Sequence, residues 1–387
     1  MIKKLLWLLL ALVFLVAIFS PYFARYIESQ HNQVRQPAPY QVDSASAKLH
    51  QRLLIADLHA DPLLWARDLR QEWQQGHFDL PRMQKANLSL QVFGLVTKSP
   101  QGQNFQKNSG DTDRLIPLVM AQHWPIKTWN SPKQRALYQA KRLQNLTKHN
   151  DQLRLIKDQK SLAQWLSDRQ KDHTIRAGML GIEGAHALEA DLNNFTPLYQ
   201  AGIRMIGMAH FFDNHFSGSA HGVKQGGLSA DGIKLVKLAQ EKGALIDIAH
   251  TSQQAINDIL KISTKPLVVS HTGVKAVCDS PRNLSDRHIR AIAKTGGVMA
   301  VAIFEGATCG YEIKEMIDTI DHIVKLVGVD YVAFGLDLDG SITSPVDVTG
   351  MPLITQELIK RGYSYSEIAK ISGLNFIGVL QQTLPTN

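Results

Sequence analysis

Leu54-Ile-Ala-Asp-Leu-His-Ala-Asp61 is an apolar run that ends in an imidazole and a carboxylate two residues apart. Positions i and i+2 of an extended chain point the same way. His59 and Asp61 therefore leave the end of a strand together, and both groups suit a zinc ion. One such pair is a weak signal that a polar strand end explains equally well. Its meaning depends on what the rest of the chain places beside it.

The rest of the chain repeats the pattern. β-rich runs at 53–58, 88–96, 177–183, 203–209, 244–249, 266–270, 297–303 and 331–336 alternate with amphipathic stretches such as Asp231 to Lys242, Ser252 to Ile262 and Ser285 to Thr295. Gly243 and Gly296 stand where two of these helices should stop. Eight such units predict an α/β fold, a (β/α)8 TIM-like barrel. The segment 97–176 is too long for a plain crossover and carries Trp124, Trp129 and helical patterns, so a helical insertion is expected after strand 2. In a barrel the chemistry gathers at the C-terminal strand ends. Six of the eight expected strands finish in His, Asp or Glu: His59 and Asp61, Glu183, His210, His250, His271, and Asp337 with Asp339. A polar cap explains any one of these; together they predict a shared metal-binding centre.

Composition sets the outer bounds. The 387 residues are 44% hydrophobic and 20% charged, an ordinary globular balance. The net charge of +8 comes from scattered Lys and Arg without a basic block, which excludes a nucleic-acid footprint. Two cysteines, Cys278 and Cys309, are too few for a thiolate zinc cluster. After Lys3 and Lys4, Leu5 to Phe23 is nearly all apolar, and at ~1.5 Å per residue it spans ~28 Å, one hydrocarbon core. Residues 1–24 are thus expected to be a transmembrane helix acting as an uncleaved signal anchor. A secretory signal is the competing reading, but the apolar core is long and no small-x-small cleavage site is evident. The lysines orient the bulk of the chain across the membrane. The polar segment 25–47, with two prolines, reads as a stalk, and 48–387 as the barrel. The short anchor and sparse cysteine favour a single-pass protein of a bacterial inner membrane, its catalytic domain periplasmic or extracellular.

Asp57-x-His59-x-Asp61-Pro62, Ile182-Glu183-Gly184, Met208-Ala-His210, Gly243-Ala-Leu-Ile-Asp-Ile-Ala-His250, Pro266-Leu-Val-Val-Ser-His271, Arg282-Asn283 and Asp337-Leu-Asp339-Gly340 follow one another in this order. From about Leu53 onward the chain resembles the membrane (renal-type) dipeptidases, zinc peptidases with an amidohydrolase-like barrel. The resemblance implies a metallo-dipeptidase with two Zn2+ per chain, one held by His59 and Asp61, the other by His250 and His271, with Glu183 bridging. It implies attack on a dipeptide by a metal-bridging hydroxide, His210 binding the substrate carbonyl oxygen, Asp337 moving the proton, and Arg282 pairing with the substrate's C-terminal carboxylate. Hydrolysis of another amide, a lactam or an N-acyl amino acid is the alternative, because metal ligands do not select a substrate. The resemblance also implies a homodimer, without an interface signal of its own, and a Cys278–Cys309 disulfide, with two free thiols as the alternative.

Gly-Leu-Asp-Leu-Asp-Gly departs from the family's usual Gly-Asp-Phe-Asp-Gly but keeps the aspartate spacing, so Asp339 competes with Asp337 for the proton. His186, His215 and His221 are expected in loops or behind the ligands, Asp57 as support for the metal ligands or a metal contact, and Asp247 as structural. Asn87, Asn145, Asn194 and Asn283 begin Asn-x-Ser/Thr matches. A glycan on Asn283 would obstruct Arg282, so these are not read as used sites.

Overall fold

The computed structural model describes residues 2–386, and for residues 8–14, 16 and 17 the backbone alone. Eight parallel strands form its centre: β1 Ile55–Ala60, β2 Leu88–Val96, β3 Arg176–Glu183, β4 Ile203–Gly207, β5 Leu245–Asp247, β6 Val268–Thr272, β7 Val298–Val301 and β8 Val332–Phe334. Each pairs with the next in chain order, and the register Phe334↔Asp57 between β8 and β1 closes the ring. The expected strands are all present, most within two residues of the limits read from the sequence.

Local chemistry explains the alternation. The helices Ala230–Glu241, Gln253–Ile262 and Asp286–Lys294 are each opened by a serine, Ser229, Ser252 and Ser285, whose hydroxyl accepts from a backbone N–H of the first turn. Such a cap contributes about 1 kcal/mol. Gly243 and Gly296 follow with φ of +72° and +75°, a left-handed conformation that costs glycine nothing. Along the strands, alternate residues such as Leu90 and Val92, Ala177 and Met179, and Val298 and Ala300 join one buried cluster, which also takes in Phe376 and Leu380 of the last helix. One further step along the first row leads from Val92 to Gly94, and two along the second lead from Met179 through Gly181 to Glu183. Alternation thus carries the apolar interior into the polar site.

The insertion after β2 holds the helices Leu115–Ala121, Pro132–Lys148 and Gln159–Lys171. It also contains a short strand, Leu153–Leu155, paired with the start of β3, which three residues of sequence did not announce.

The N-terminal helix runs over Ile2–His31. Among the described residues no helix is long and apolar enough to cross a membrane. The stretch on which the transmembrane expectation rests includes residues 8–14, 16 and 17, whose side chains lie outside the described residues. Residues 25–47 differ from the free stalk that their composition predicts. Ala24, Glu28 and Asn32, one turn apart, are buried. Arg67 Nε donates to Glu28 Oε1 at 2.5 Å and Arg67 Nη2 to Asp339 Oδ2 at 2.5 Å. Ser341 N donates to Asn32 Oδ1 at 2.9 Å. Gln33–Val34 adds a parallel pairing to Thr343–Ser344, and Asp43 caps a helix over Ser44–His50. Glu28 and Asn32 thus meet partners on the barrel instead of water, and a composition reading cannot tell the two apart.

One guanidinium therefore serves two buried carboxylates. Burial pushes Glu28 up to about 7, with Arg67 opposing and Asp339 adding to the shift. The folded state thus holds this proton more tightly than the unfolded chain. The contribution of Glu28 to stability is complete below pH 4.5, its ordinary value, and is lost as pH rises through about 7. Glu28→Gln should flatten that part of the stability–pH profile in urea titrations. Arg67→Ala, which strands both carboxylates, should cost about 3–5 kcal/mol at neutral pH.

Candidate metal centre

The site is built from strand ends. Glu183, the last residue of β3, stands at its middle: Oε1 lies 3.4 Å from His59 Nε2, 3.3 Å from His250 Nε2 and 3.5 Å from His271 Nε2, and Oε2 lies 3.3 Å from His210 Nε2. His59 Nε2 is also 3.4 Å from Asp61 Oδ1 and 3.8 Å from Asp337 Oδ1. His250 Nε2 and His271 Nε2 face each other at 2.8 Å. All of these side chains are buried. Their ligand atoms form three triads, each within 4.8 Å: His59, Glu183 and His271; Glu183, His210 and His250; and His59, Asp61 and Asp337. Every expected ligand lies in this cluster, and so do His210 and Asp337.

The donor atoms fit cations. His59 Nε2, Asp61 Oδ1 and Glu183 Oε2 are buried without a hydrogen-bond partner, an arrangement that is costly unless something charged stands among them. Burial holds His210, His250 and His271 well below the ordinary imidazole range, which keeps them neutral as a metal requires. Burial and the neighbouring Asp61 push Glu183 well above the usual carboxylate range. Burial works against protonation of His59, but Asp61 and Glu183 overcome it and raise the group to about 10. By themselves, the side chains are short of positive charge.

The backbone holds this geometry at a cost. His250 has φ of +58°, Asp337 +62° and Asp339 +63°, a region that costs about 1–2 kcal/mol for most residues and less for aspartate. Asp337 N donates to His59 O at 3.0 Å and Asp61 N to Leu338 O at 2.9 Å, so the β1 ligands and the loop after β8 fix each other. The two aspartates of that loop have separate surroundings. Asp339 is occupied: its carboxylate accepts from Arg67 and from His77 N at 2.6 Å. Asp337 faces the metal donors, and burial pushes it up to about 7, with His59 and Arg282 opposing and Asp61 assisting.

Arg282 is fully buried beside the cluster. Its Nη2 donates to His271 O at 2.8 Å, its guanidinium lies 5.1 Å from the Phe304 ring centre, and its Nε has no partner. Cys278 and Cys309 are joined in a disulfide with a sequence separation of 31. Closing a loop of that size contributes about 3–4 kcal/mol by chain entropy, and the loop contains Arg282. His186 bonds Thr97 Oγ1, His221 bonds Phe105 O, and the exposed His215 bonds Asp231; none of the three joins a triad. Asp57 Oδ1 accepts from Leu336 N at 2.8 Å and ties β1 to β8. Asn283 is buried, bonded to Gly273 N, Cys278 O and Ala307 O.

Three features escape a reading of the sequence. Asp247 braces a ligand: its Oδ2 accepts from Ser270 Oγ at 2.6 Å, and that hydroxyl meets His271 Nδ1 at 2.9 Å. The relay fixes the ring with Nε2 toward Glu183. Gly94 is the second. A Cβ there would stand 2.2 Å from Asp61 Oδ1 and 2.7 Å from His59 Cε1. A lone glycine inside a strand pattern is the available signal for such a close approach. The third is the cavity. It measures about 360 Å³, and Asp61, Glu183, His210, His250, Arg282 and Asp337 share its lining with Ile27 and His31 of the N-terminal helix.

A parallel barrel with buried His, Asp and Glu converging at its C-terminal strand ends defines a metallohydrolase-like scaffold. Residues 44–386 match the family model described as membrane dipeptidase (peptidase family M19), and the chain belongs to that family. It is similar to Dipeptidase verJ of Clonostachys rogersoniana, 31% identical over 53% of this chain and 54% of that protein. It is 27% identical to mouse Dipeptidase 3 over 79% of this chain and 63% of that protein. The match therefore spans 54% and 63% of the length of these two relatives, less than two-thirds of either. Among solved structures, the fold resembles the probable dipeptidase PvdM from Pseudomonas aeruginosa, with TM-score 0.72 and 21% identity over 88% of this chain and 98% of that one. It also resembles a metallo peptidase from Rhodobacter sphaeroides liganded with a phosphinate mimic of L-Ala-D-Ala, with TM-score 0.68 and 22% identity over 86% and 99%.

Gly94→Ala should displace His59 and Asp61 while the barrel persists. We expect metal affinity to fall about 10–100-fold, read by chelator competition, with an unchanged far-ultraviolet circular dichroism spectrum.

Proposed function

We propose that the chain is a dipeptidase working with two zinc ions, His59 and Asp61 holding one, His250 and His271 the other, and Glu183 bridging them. The observation that carries this reading is the convergence of buried, unpartnered donor atoms on Glu183. When bound, the metal pair supplies a water acidic enough to attack an amide near neutral pH and a Lewis acid for the carbonyl.

The chain's own residues do the rest. Arg282 offers a buried cation with an unpartnered Nε, and binds the free carboxylate of the substrate's C-terminal residue. Anchoring that carboxylate beside the scissile bond limits the substrate to one residue on the leaving side of the bond. His210, in the cavity lining beside Glu183, binds the substrate carbonyl oxygen as negative charge develops there. Asp337, whose Oδ1 lies 3.8 Å from His59 Nε2, takes a proton from the attacking water and returns it to the leaving nitrogen. Family membership and the dipeptidases among the relatives support the substrate class. The chain's organisation is proposed as residues 1–24 anchoring it in a membrane, 25–47 joining anchor to enzyme, and 48–387 forming the catalytic barrel outside the cytoplasm. Alkaline extraction of membranes carrying the full chain tests the anchor: retention in the pellet is expected, and release into the supernatant would refute it.

Glu183→Gln should lose about 100-fold or more in kcat and bind fewer metal ions per chain, measured by turnover and elemental analysis on one sample. Arg282→Ala should cost roughly 10–100-fold in kcat/KM for dipeptides, the worth of a charged hydrogen bond. Unchanged dipeptide turnover in Arg282→Ala would move the assignment to another amide, a lactam or an N-acyl amino acid.

A further inference from the structure

The cavity at the metal centre has a wall from outside the family-matching region. Residues 44–386 carry the family match, whereas Ile27 and His31 lie before it and line the same cavity as Glu183 and Arg282. They are four residues apart and share one face of the helix. The neighbouring face, Ala24, Glu28 and Asn32, is buried against the barrel. Tyr22, Phe23 and Tyr26 point outward, each more than half exposed. The helix is thus held in one rotational setting by the Glu28–Arg67 and Asn32–Ser341 contacts, and that setting turns Ile27 and His31 into the cavity. Leu115 and Leu118 of the insertion line it as well, so Ile27 belongs to an apolar patch within a polar site.

We propose that the last two turns of the N-terminal helix are a specificity wall of the pocket, with Ile27 packing against an apolar side chain of the bound dipeptide. The inference rests on reading this cavity as the dipeptidase site. It makes Ile27 a substrate-contacting residue that carries no chemistry, and it gives the substrate class one more term: dipeptides with an aliphatic side chain are preferred over those without.

The test uses the full chain in detergent with zinc. For Ile27→Ala, KM for leucyl-leucine should rise at least 10-fold while KM for glycyl-glycine moves less than 3-fold, since even one methylene lost from a pocket contact is worth roughly 10-fold. In both cases kcat and zinc content should stay close to wild type. The second readout needs no turnover. Both native cysteines are in the disulfide and no other cysteine exists, so Ile27→Cys and Tyr26→Cys each carry a single free thiol. A saturating phosphinate dipeptide mimic with a leucine side chain should slow maleimide labelling at position 27 at least 5-fold and leave position 26 unaffected. Equal KM changes for both substrates, or no protection at position 27, in a chain whose wild type turns over dipeptides would overturn this inference alone. A wild type without dipeptide turnover and without protection would overturn the reading of the site together with it.

Discussion

Everything at this site follows from one carboxylate placed where it has too few positive partners. Glu183 is buried within 3.5 Å of four imidazole nitrogens, and Asp61 and Asp337 share the same surroundings. Arg282 is the buried arginine beside them, and it is directed at His271 O. Burying charge is expensive unless it is paired, and protonating His59 answers only part of the demand. Divalent cations would answer the remainder. This also accounts for the backbone: His250 and Asp337 sit in left-handed conformations that a strand end would otherwise avoid, and strain of this kind persists where the surrounding structure over-determines it.

The fold brings these groups together by simple means. Parallel strands aligned in one ring end at the same level, so residues far apart in sequence become neighbours if each stands near its strand's C-terminal end. The candidate ligands do: His59 is the last but one residue of β1 and Asp61 one past it, Glu183 ends β3, His250 is three past β5, and His271 is the last but one residue of β6. What tightens them is lateral: the loop after β8 bonds the backbone at His59 and Asp61, the Asp247–Ser270 relay orients His271, and the disulfide shortens the loop that carries Arg282.

This explains what could be read from sequence. The strands and the cluster of candidate ligands were legible because the signals are local: an apolar run, a polar residue at its end, a serine or glycine at a helix terminus. The resemblance added the family, and the residues that carried it are the ones that cluster. Other features were not legible because their meaning depends on contacts between distant segments. Gly94 is an ordinary strand glycine until His59 and Asp61 stand in front of it. Asp247 is uninformative without Ser270. The strand Leu153–Leu155 is too short to show a period. The composition of 25–47 is that of a solvated linker, and only the positions of Arg67, Asp339 and Ser341 reveal that Glu28 and Asn32 are met by the barrel.

A free linker of the 23 residues 25–47 would have a typical end-to-end distance of roughly 26 Å, and the domain behind it would tumble and sweep a hemisphere around its tether. The docked helix removes that freedom. Whatever surrounds its first turns also sets the direction in which the cavity opens. The protein therefore samples its surroundings through a fixed aperture, and the encounter rate with a substrate depends on the geometry of supply as well as on its concentration.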